Sequence, residues 1–336
     1  MSVITAREII ARELEQSADK GIYESVEFYY MGGEPLLNFS LIQETCEWSW
    51  QQKWEIPYHF YVVTNGTLLD YSKMQWFEAH SRQITIELSV DGFNKMQEIN
   101  RGCSTHSLPI DWVHRLWPEQ CFKMTVSKKT LKDFAKGMIT LQTQGYQTNS
   151  DLAIGVAWNE LDAREYARQL EILSDFYLSH QHLRPCHLLL RNIEPLFTEN
   201  PSIEKCCTSG GRAITYHANG KPYPCVVFTP LVFGKDLTSE LSQMDFSDNK
   251  LFTDPECKTC FIRNMCKTCY GYNYKIRGNL AQRDKAYCPM YRAEIKAICK
   301  FQTNYLRKQQ RALSSKEQER LDKAEKGWQN LENYKH

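Results

Sequence analysis

Five short runs of β-branched, aromatic and aliphatic residues mark the first half of the chain, and each ends at glycine or small polar residues. They cover residues 26–31, 58–64, 84–90, 122–127 and 152–157. The segments between them carry helical patterns, over residues 36–52, 71–80, 131–144 and 162–178. Runs bounded by turn residues are typical of buried strands. Strands that alternate with helices form βα units around a parallel sheet, so we predict an α/β fold with ligands at the carboxyl ends of the strands.

Two local patterns add to this prediction. Thr5 followed by Glu8 has the spacing of a capping box, which predicts a helix that begins there. Much later in the chain, Tyr270, Tyr272 and Tyr274 alternate with other residues, which favours one face of a short strand.

The character of the sequence changes near residue 183, where turn residues and cysteines replace helical periodicity. The chain has 336 residues and 13 cysteines, and ten of these cysteines fall between Cys186 and Cys299. We predict a first domain over residues 1–182, a cysteine-rich domain over residues 183–293 and a charged helical tail over residues 294–336.

Charge and composition exclude several classes of protein. The net charge is +1, so nothing favours a nucleic acid or an anionic membrane as the main partner. The N-terminus lacks a basic segment followed by an apolar one, and no run approaches the ~18 apolar residues of a membrane span. We therefore predict a cytoplasmic protein, in which clustered cysteines are more often metal ligands or redox groups than disulfides.

The densest group of cysteines lies in the run CKTCFIRNMCKTC, at residues 257–269. Cys257 and Cys260 are separated by two residues, as are Cys266 and Cys269, and this spacing lets both thiolates reach one metal from a tight turn. Cysteines that could join them are Cys206, Cys207, Cys225 and Cys288. Such density argues against a set of buried free thiols, but spacing alone does not decide between structural zinc and iron–sulfur clusters.

Three segments of the first domain resemble strand ends of radical S-adenosylmethionine (radical SAM) enzymes. EFYYMGGEP, at residues 27–35, is similar to their GGEP motif, and VVTNGTLL (62–69) and IELSVDG (86–92) follow at the spacing of the next two strands. The later cysteine array is similar to the SPASM extension, which carries auxiliary [4Fe–4S] clusters in peptide- and protein-modifying members. The resemblance implies a (β/α)6-type partial TIM barrel, here lacking its first strand, followed by a cysteine-rich SPASM auxiliary-cluster domain.

The resemblance also implies which residues bind S-adenosylmethionine (AdoMet). Gly32, Gly33, Glu34 and Pro35 would line the methionine end of this cofactor, because only glycine lets backbone groups approach a ligand so closely. Ser89 would lie near its ribose.

For the cysteines, the family pattern implies two interlocked clusters. Cys257, Cys260, Cys266 and Cys288 would hold the outer cluster. Cys207, Cys225 and Cys269 would hold the inner one, with Cys206 as the fourth ligand. An open iron site, a non-cysteine ligand or Cys186 are the alternatives to Cys206, because the adjacent Cys206 and Cys207 replace two spaced cysteines of the family.

The sequence departs from the family at the catalytic cluster. Radical SAM enzymes hold that cluster with three cysteines, spaced by three and then two residues, after the first barrel strand. Here no cysteine precedes Cys46, so we expect this chain alone to be inactive and assign no catalytic residue. Three explanations stand: a truncated or misstarted product, a split enzyme whose partner chain supplies the segment, or a degenerate family member.

We therefore predict a radical SAM/SPASM protein of an oxidoreductase lineage that modifies a peptide or protein substrate. Its cofactors would be one or two auxiliary [4Fe–4S] clusters and AdoMet. The alternatives are a non-catalytic protein of this fold that binds a peptide or scaffolds a partner, and a structural zinc domain.

Overall fold

The predicted alternation of strands and helices is present in the computed structural model, which describes residues 1–198 and 205–333. The strands are β1 (Val26–Tyr30), β2 (Tyr58–Thr64), β3 (Ile84–Leu88), β4 (Phe122–Val126), β5 (Thr148–Leu152), β6 (Thr215–Tyr216) and β7 (Pro222–Tyr223). The helices are α1 (Val3–Lys20), α2 (Phe39–Trp50), α3 (Tyr71–Ala79), α4 (Asn94–Arg101), α5 (Ile110–Leu116), α6 (Phe134–Thr143), α7 (Glu160–Ser179), α8 (His187–Leu190), α9 (Pro230–Phe233), α10 (Thr238–Leu241), α11 (Tyr270–Arg277), α12 (Cys288–Arg307) and α13 (Ser315–Asn333).

The chain divides into two compact units. The first consists of Met1–Lys123 and Ile214–Ser242, and the second of the described parts of Met124–Ala213 and Gln243–His336. The boundaries after residues 182 and 293 are predicted from the composition of the sequence, and they stay a prediction. Residues 199–204 of the predicted cysteine-rich domain and residues 334–336 of the predicted tail lie outside the described residues.

A parallel three-stranded sheet in the order β1–β2–β3 forms the centre of the first unit. The register aligns Phe28 with Phe60 and Phe60 with Ile84, so aromatic and aliphatic side chains share one face. On that face Phe60, Ile84 and Ile86 are fully buried. Because α1 packs on both β1 and α2, the βα units predicted from the sequence are present here.

The first helix begins at Val3, and its cap is Ser2 rather than the predicted Thr5. The Ser2 hydroxyl oxygen accepts a hydrogen bond from the Thr5 backbone N–H at 3.0 Å. The helix ends at Lys20, and the capping residue Gly21 has a φ of +61°, in the left-handed region that favours glycine.

Long helices dominate the second unit. There α12 packs against both α7 and α13, and α13 buries Leu321, Ala324 and Leu331. Strand β5 pairs with β4, most of which belongs to this unit. Across the described ranges of the chain, no helix combines the length and apolar character needed to cross a membrane.

Two local predictions in the second unit are wrong. The fifth strand covers Thr148–Leu152 rather than residues 152–157, because the chain turns at Gly155, where φ is +79°. A Cβ atom at Gly155 would lie 2.7 Å from the hydroxyl oxygen of Tyr272, so this turn has no room for a side chain. The alternating tyrosines lie in α11 and not in a strand. The prediction failed because three positions are too few to distinguish the period of a strand from that of a helix.

Candidate cofactor and cluster sites

Glu34 joins the ends of β1 and β2 in the first unit. Its carboxylate accepts hydrogen bonds from the Thr64 hydroxyl (2.7 Å), the Asn65 N–H (3.0 Å) and the Leu36 N–H (3.1 Å). Pro35 begins the 3₁₀ turn that follows. In this structure Glu34 therefore holds the shape of the loop, and direct contact of Glu34 or Pro35 with a cofactor stays a prediction.

The two glycines before Glu34 present open backbone. A Cβ atom at Gly32 or Gly33 would meet no other heavy atom of the described chain within 4 Å, and both residues are exposed. Gly32 has a φ of +153°, which few other residues adopt. The backbone of this loop is thus open on the side that a Cβ atom would occupy, which leaves room for a ligand to approach it.

Ser89 lies at the same end of the sheet. Its backbone N–H donates to the Thr64 carbonyl at 3.0 Å, while the Thr64 hydroxyl donates to Glu34. The structure therefore brings Glu34 and Ser89, predicted from separate segments, together around the end of β2. The ribose contact assigned to Ser89 stays a prediction.

A buried ion pair fixes the turn after Ser89. Asp91 is only 1% exposed, and Arg101 donates to its two oxygens from Nε (2.8 Å) and Nη2 (3.0 Å). Gln97 accepts from the Asp91 N–H at 2.7 Å and donates to the Ser89 carbonyl at 3.4 Å. Two parallel charge-assisted bonds constrain geometry strongly, so Asp91 acts here as a support for the loop of Ser89.

The opposite face of the sheet carries polar side chains. Tyr29 stacks on Tyr61 with ring centroids 4.6 Å apart, and both hydroxyls donate to Glu27, at 2.9 and 3.5 Å. His59 lies 2.9 Å from the Thr85 hydroxyl, and burial lowers the pKa of His59, which favours neutral imidazole at pH 7. Since parallel sheets are usually apolar on both faces, this face is a candidate binding surface that the sequence analysis missed.

The four thiols of the predicted outer cluster interact with one another in the second unit. Burial is the main reason that the pKa of Cys266 rises to about 12, and charge on Cys288 and Cys260 adds to this rise. Burial also raises the pKa of Cys288, and charge on Cys257 is the next cause. Such mutual effects require proximity, so the four predicted ligands share one neighbourhood.

This donor set fits an iron–sulfur cluster by its chemistry, because four thiols are available at one place. Within residues 1–198 and 205–333, no three Cys, His, Asp or Glu side chains already have a geometry that could hold a metal ion. The thiols would therefore have to close around a cluster, and their role as ligands stays a prediction.

Asp254 organises the cationic residues beside the outer thiols. It is 4% exposed and accepts hydrogen bonds from the Arg283 N–H (3.0 Å), the Glu256 N–H (3.0 Å) and the Lys285 Nζ (3.1 Å). A cavity of about 30 Å³ lies against Asp254, Cys257 and Arg283, which is room for about one water molecule. Asp254, Arg283 and Lys285 were not predicted from the sequence.

Cys206, one of the predicted inner ligands, has a lowered thiol pKa. Its sulfur accepts from the Thr268 N–H at 3.3 Å and its N–H donates to the Tyr270 hydroxyl oxygen at 3.0 Å. A hydrogen bond from Cys207 is the main reason that the pKa of Cys206 falls to about 6. Cys206, Cys207 and Cys269 belong to the second unit and Cys225 to the first.

We expect Cys206 to be alkylated by iodoacetamide at lower pH than Cys266, because the thiolate is the nucleophile. A pKa lowered to about 6 leaves Cys206 mostly ionised at pH 7, whereas Cys266, whose pKa is raised to about 12, stays protonated and buried. Peptide mapping of the metal-free chain across a range of pH from about 5 to about 9 measures both, with Cys206→Ser identifying the site. Labelling of Cys206 that starts only above the ordinary thiol pKa of about 8.5 would contradict the expectation.

The sequence matches no protein-family model and no curated protein. Solved structures do share its fold. The structure of hexahistidine-tagged anSMEcpe with bound AdoMet matches with a TM-score of 0.66 and 17% identity, over 96% of this chain and 90% of that chain. Native anSMEcpe with bound AdoMet and Cp18Cys peptide matches with a TM-score of 0.61 and 17% identity, over 88% and 89% of the two chains.

A second protein with this fold is SuiB of Streptococcus suis. Its structure bound to the precursor peptide SuiA matches with a TM-score of 0.54 and 18% identity, over 85% of this chain and 69% of that chain. Both anSMEcpe, an anaerobic sulfatase-maturating enzyme, and SuiB are radical SAM/SPASM peptide maturases. The predicted α/β fold and its resemblance to this class of structures are confirmed, and at this identity the likeness concerns the fold.

Proposed function

We propose that this chain is a protein of the radical SAM/SPASM type that acts on a peptide or protein segment. The observation that carries the proposal is the fold shared with anSMEcpe over 96% of this chain. Two features of the chain support it. The GGEP loop offers open backbone groups to AdoMet, and the outer set offers four neighbouring thiols to an iron–sulfur cluster. AdoMet and one or two auxiliary [4Fe–4S] clusters would be the cofactors.

Each part of the first unit would have a separate task in binding AdoMet. Gly32 and Gly33 would admit the methionine end to the backbone, while Glu34 holds the loop against β2 through Thr64. Ser89, positioned by Gln97 and the Asp91 ion pair, would face the ribose. In proteins of this class, bound AdoMet supplies the group that abstracts hydrogen from a substrate.

The polar face of the sheet would receive the substrate. The stacked Tyr29 and Tyr61 offer an aromatic platform, and Glu27 and the neutral His59 offer hydrogen-bond acceptors. A peptide presents both apolar side chains and backbone N–H groups, so this mixture of groups suits it. The peptides bound in the anSMEcpe and SuiB structures favour the same class of ligand.

A peptide-binding protein without radical chemistry is the second candidate. It is favoured because residues 1–336 contain no three cysteines spaced by three and then two residues. Under the first proposal, a segment or partner chain beyond these residues would provide that cluster. Residues 1–336 alone should form no 5′-deoxyadenosine from AdoMet and dithionite under either candidate, because they lack the cysteines of the catalytic cluster. Adding the segment or partner chain that carries those cysteines distinguishes the two, since 5′-deoxyadenosine then forms only under the first proposal.

We expect Gly33→Ala to weaken AdoMet binding at least about tenfold, equivalent to ~1.4 kcal/mol. The added methyl group would occupy the open side of the loop, and it would meet no neighbouring atom that could unfold the chain. Isothermal titration calorimetry with AdoMet measures the effect. Gly211→Ala is the matched control, because its Cβ atom would make ordinary contacts at 3.5 and 3.7 Å in the second unit.

Two results would count against this part of the proposal. Wild-type protein that binds no AdoMet would contradict the assignment of the cofactor. Equal affinity of the wild type and Gly33→Ala would show that AdoMet binds away from this loop.

A further inference from the structure

We propose that Arg283 and Lys285 set the reduction potential of the iron–sulfur cluster at the outer cysteines, by placing positive charge and N–H donors against its ligand sulfurs. The inference rests on the proposed function, because it takes Cys257, Cys260, Cys266 and Cys288 as cluster ligands. It assigns a role to two residues outside the cysteine pattern.

Lys285 is held directly against a predicted ligand. Its Nζ lies 3.4 Å from the Cys257 sulfur. The same Nζ pairs with Asp254 at 3.1 Å and with Glu256 at 3.3 Å. The buried carboxylate of Asp254 thus holds the ammonium group beside one sulfur atom, whereas Glu256 is 76% exposed and contributes little.

Arg283 is placed among several sulfurs at once. Its backbone N–H donates to Asp254 and its Nη1 donates to the Cys266 carbonyl at 3.0 Å. The small cavity beside Asp254 is lined by both Arg283 and Cys257. Arg283 therefore lies beside Cys257 and Cys266, two of the predicted outer ligands.

The Nε atom of Arg283 is buried and finds no hydrogen-bond partner among the described residues. Such unpaired buried donors are rare in native structures, because a donor without an acceptor destabilises the fold. The thiols of Cys257 and Cys266, which lie beside Arg283, would become stronger acceptors as thiolates bound to iron. A bound cluster would accordingly supply the acceptor that this N–H group lacks.

The electrostatic consequence follows from the charge of the cluster. A cluster held by four thiolates is an anion, and one-electron reduction makes it more negative without breaking a bond or moving a proton. Nearby cations and N–H···S hydrogen bonds stabilise the reduced form more than the oxidised form, which raises the reduction potential. Removal of either group should therefore make the potential more negative.

The test uses the full chain, reconstituted anaerobically with ferrous iron and sulfide, in a redox titration with dithionite and mediators followed by EPR. We expect Lys285→Met to shift the potential of one cluster to more negative values at unchanged iron content. Arg283→Lys, which keeps the charge and removes the Nε donor, should give a smaller shift in the same direction. Lys316→Met, on the exposed surface of α13, is the control and should leave the potential unchanged.

Several results would overturn the inference. Loaded Lys285→Met and Arg283→Lys with wild-type potentials would show that the two residues only fold the loop around Asp254. Loss of the cluster from both variants, with iron retained in Lys316→Met, would show that they assemble the site rather than tune it. A wild-type chain that takes up no cluster would refute the proposed function first, before any variant is compared.

Discussion

Replacing Asp91 by alanine should lower the free energy of unfolding by about 3–5 kcal/mol, the usual effect of removing one partner of a buried ion pair. Asp91 is almost completely buried, and Arg101 donates two hydrogen bonds to it. Without the carboxylate, a largely buried guanidinium group would lose its counter-charge. Urea unfolding followed by tryptophan fluorescence measures the change.

The matched control is an exposed ion pair in the same unit. Lys235 pairs with Glu240 at 3.0 Å, and the side chains are 62% and 46% exposed. Because exposed pairs contribute at most about 1 kcal/mol, Lys235→Ala should change stability by less than that. If Asp91→Ala were as mild as Lys235→Ala, the turn after β3 would not depend on this ion pair, and the support proposed for Ser89 would be lost.

The first three strands could be predicted from the sequence because each is a compact apolar run closed by glycine, asparagine or aspartate. The run at residues 58–64 matches β2 at both ends. The runs at residues 26–31 and 84–90 extend past β1 and β3 by one and two residues. The signal is clear there, since β-branched and aromatic residues occupy consecutive positions.

The fifth strand could not be placed in this way. Its residues, Thr148–Leu152, are mostly polar, and the apolar residues that follow belong to a turn at Gly155. At that turn Tyr272, far along the chain, leaves no room for a side chain. A pattern confined to a short window contains no information about such a contact.

In the candidate sites too, residues close together in sequence could be predicted, whereas residues brought together by the fold could not. The GGEP loop and the cysteine run could be predicted because their residues are close in sequence and have specific spacing. That Glu34 and Ser89 meet at Thr64 follows from the parallel order of β1, β2 and β3.

Residues that act through packing were missed. Arg283 and Lys285 lie in the plain polar segment QRDKAYC, and only the position of Asp254 makes them neighbours of the outer thiols. The sequence of β1 does contain an indication of the polar face, since Glu27 and Tyr29 alternate with less exposed residues. The run is rich enough in aromatic residues that it also fits a strand buried on both sides, which is how the sequence prediction describes it.

Replacing Cys257 and Cys266 together by serine should remove one cluster, about four iron atoms per chain, from the reconstituted protein. Both thiols belong to the group that interacts around the outer site. Cys299→Ala is the control, because Cys299 is a fully buried cysteine of the same unit outside both predicted ligand sets. Equal iron content in the two variants would place the cluster elsewhere.

The most direct test of the whole account is the metal and sulfide content of the wild-type chain after anaerobic reconstitution. We predict equal amounts of iron and acid-labile sulfide, with a broad absorbance near ~400 nm that disappears on acidification. Stoichiometric zinc without visible absorbance or sulfide would contradict the account, because the cysteines would then form a structural zinc site.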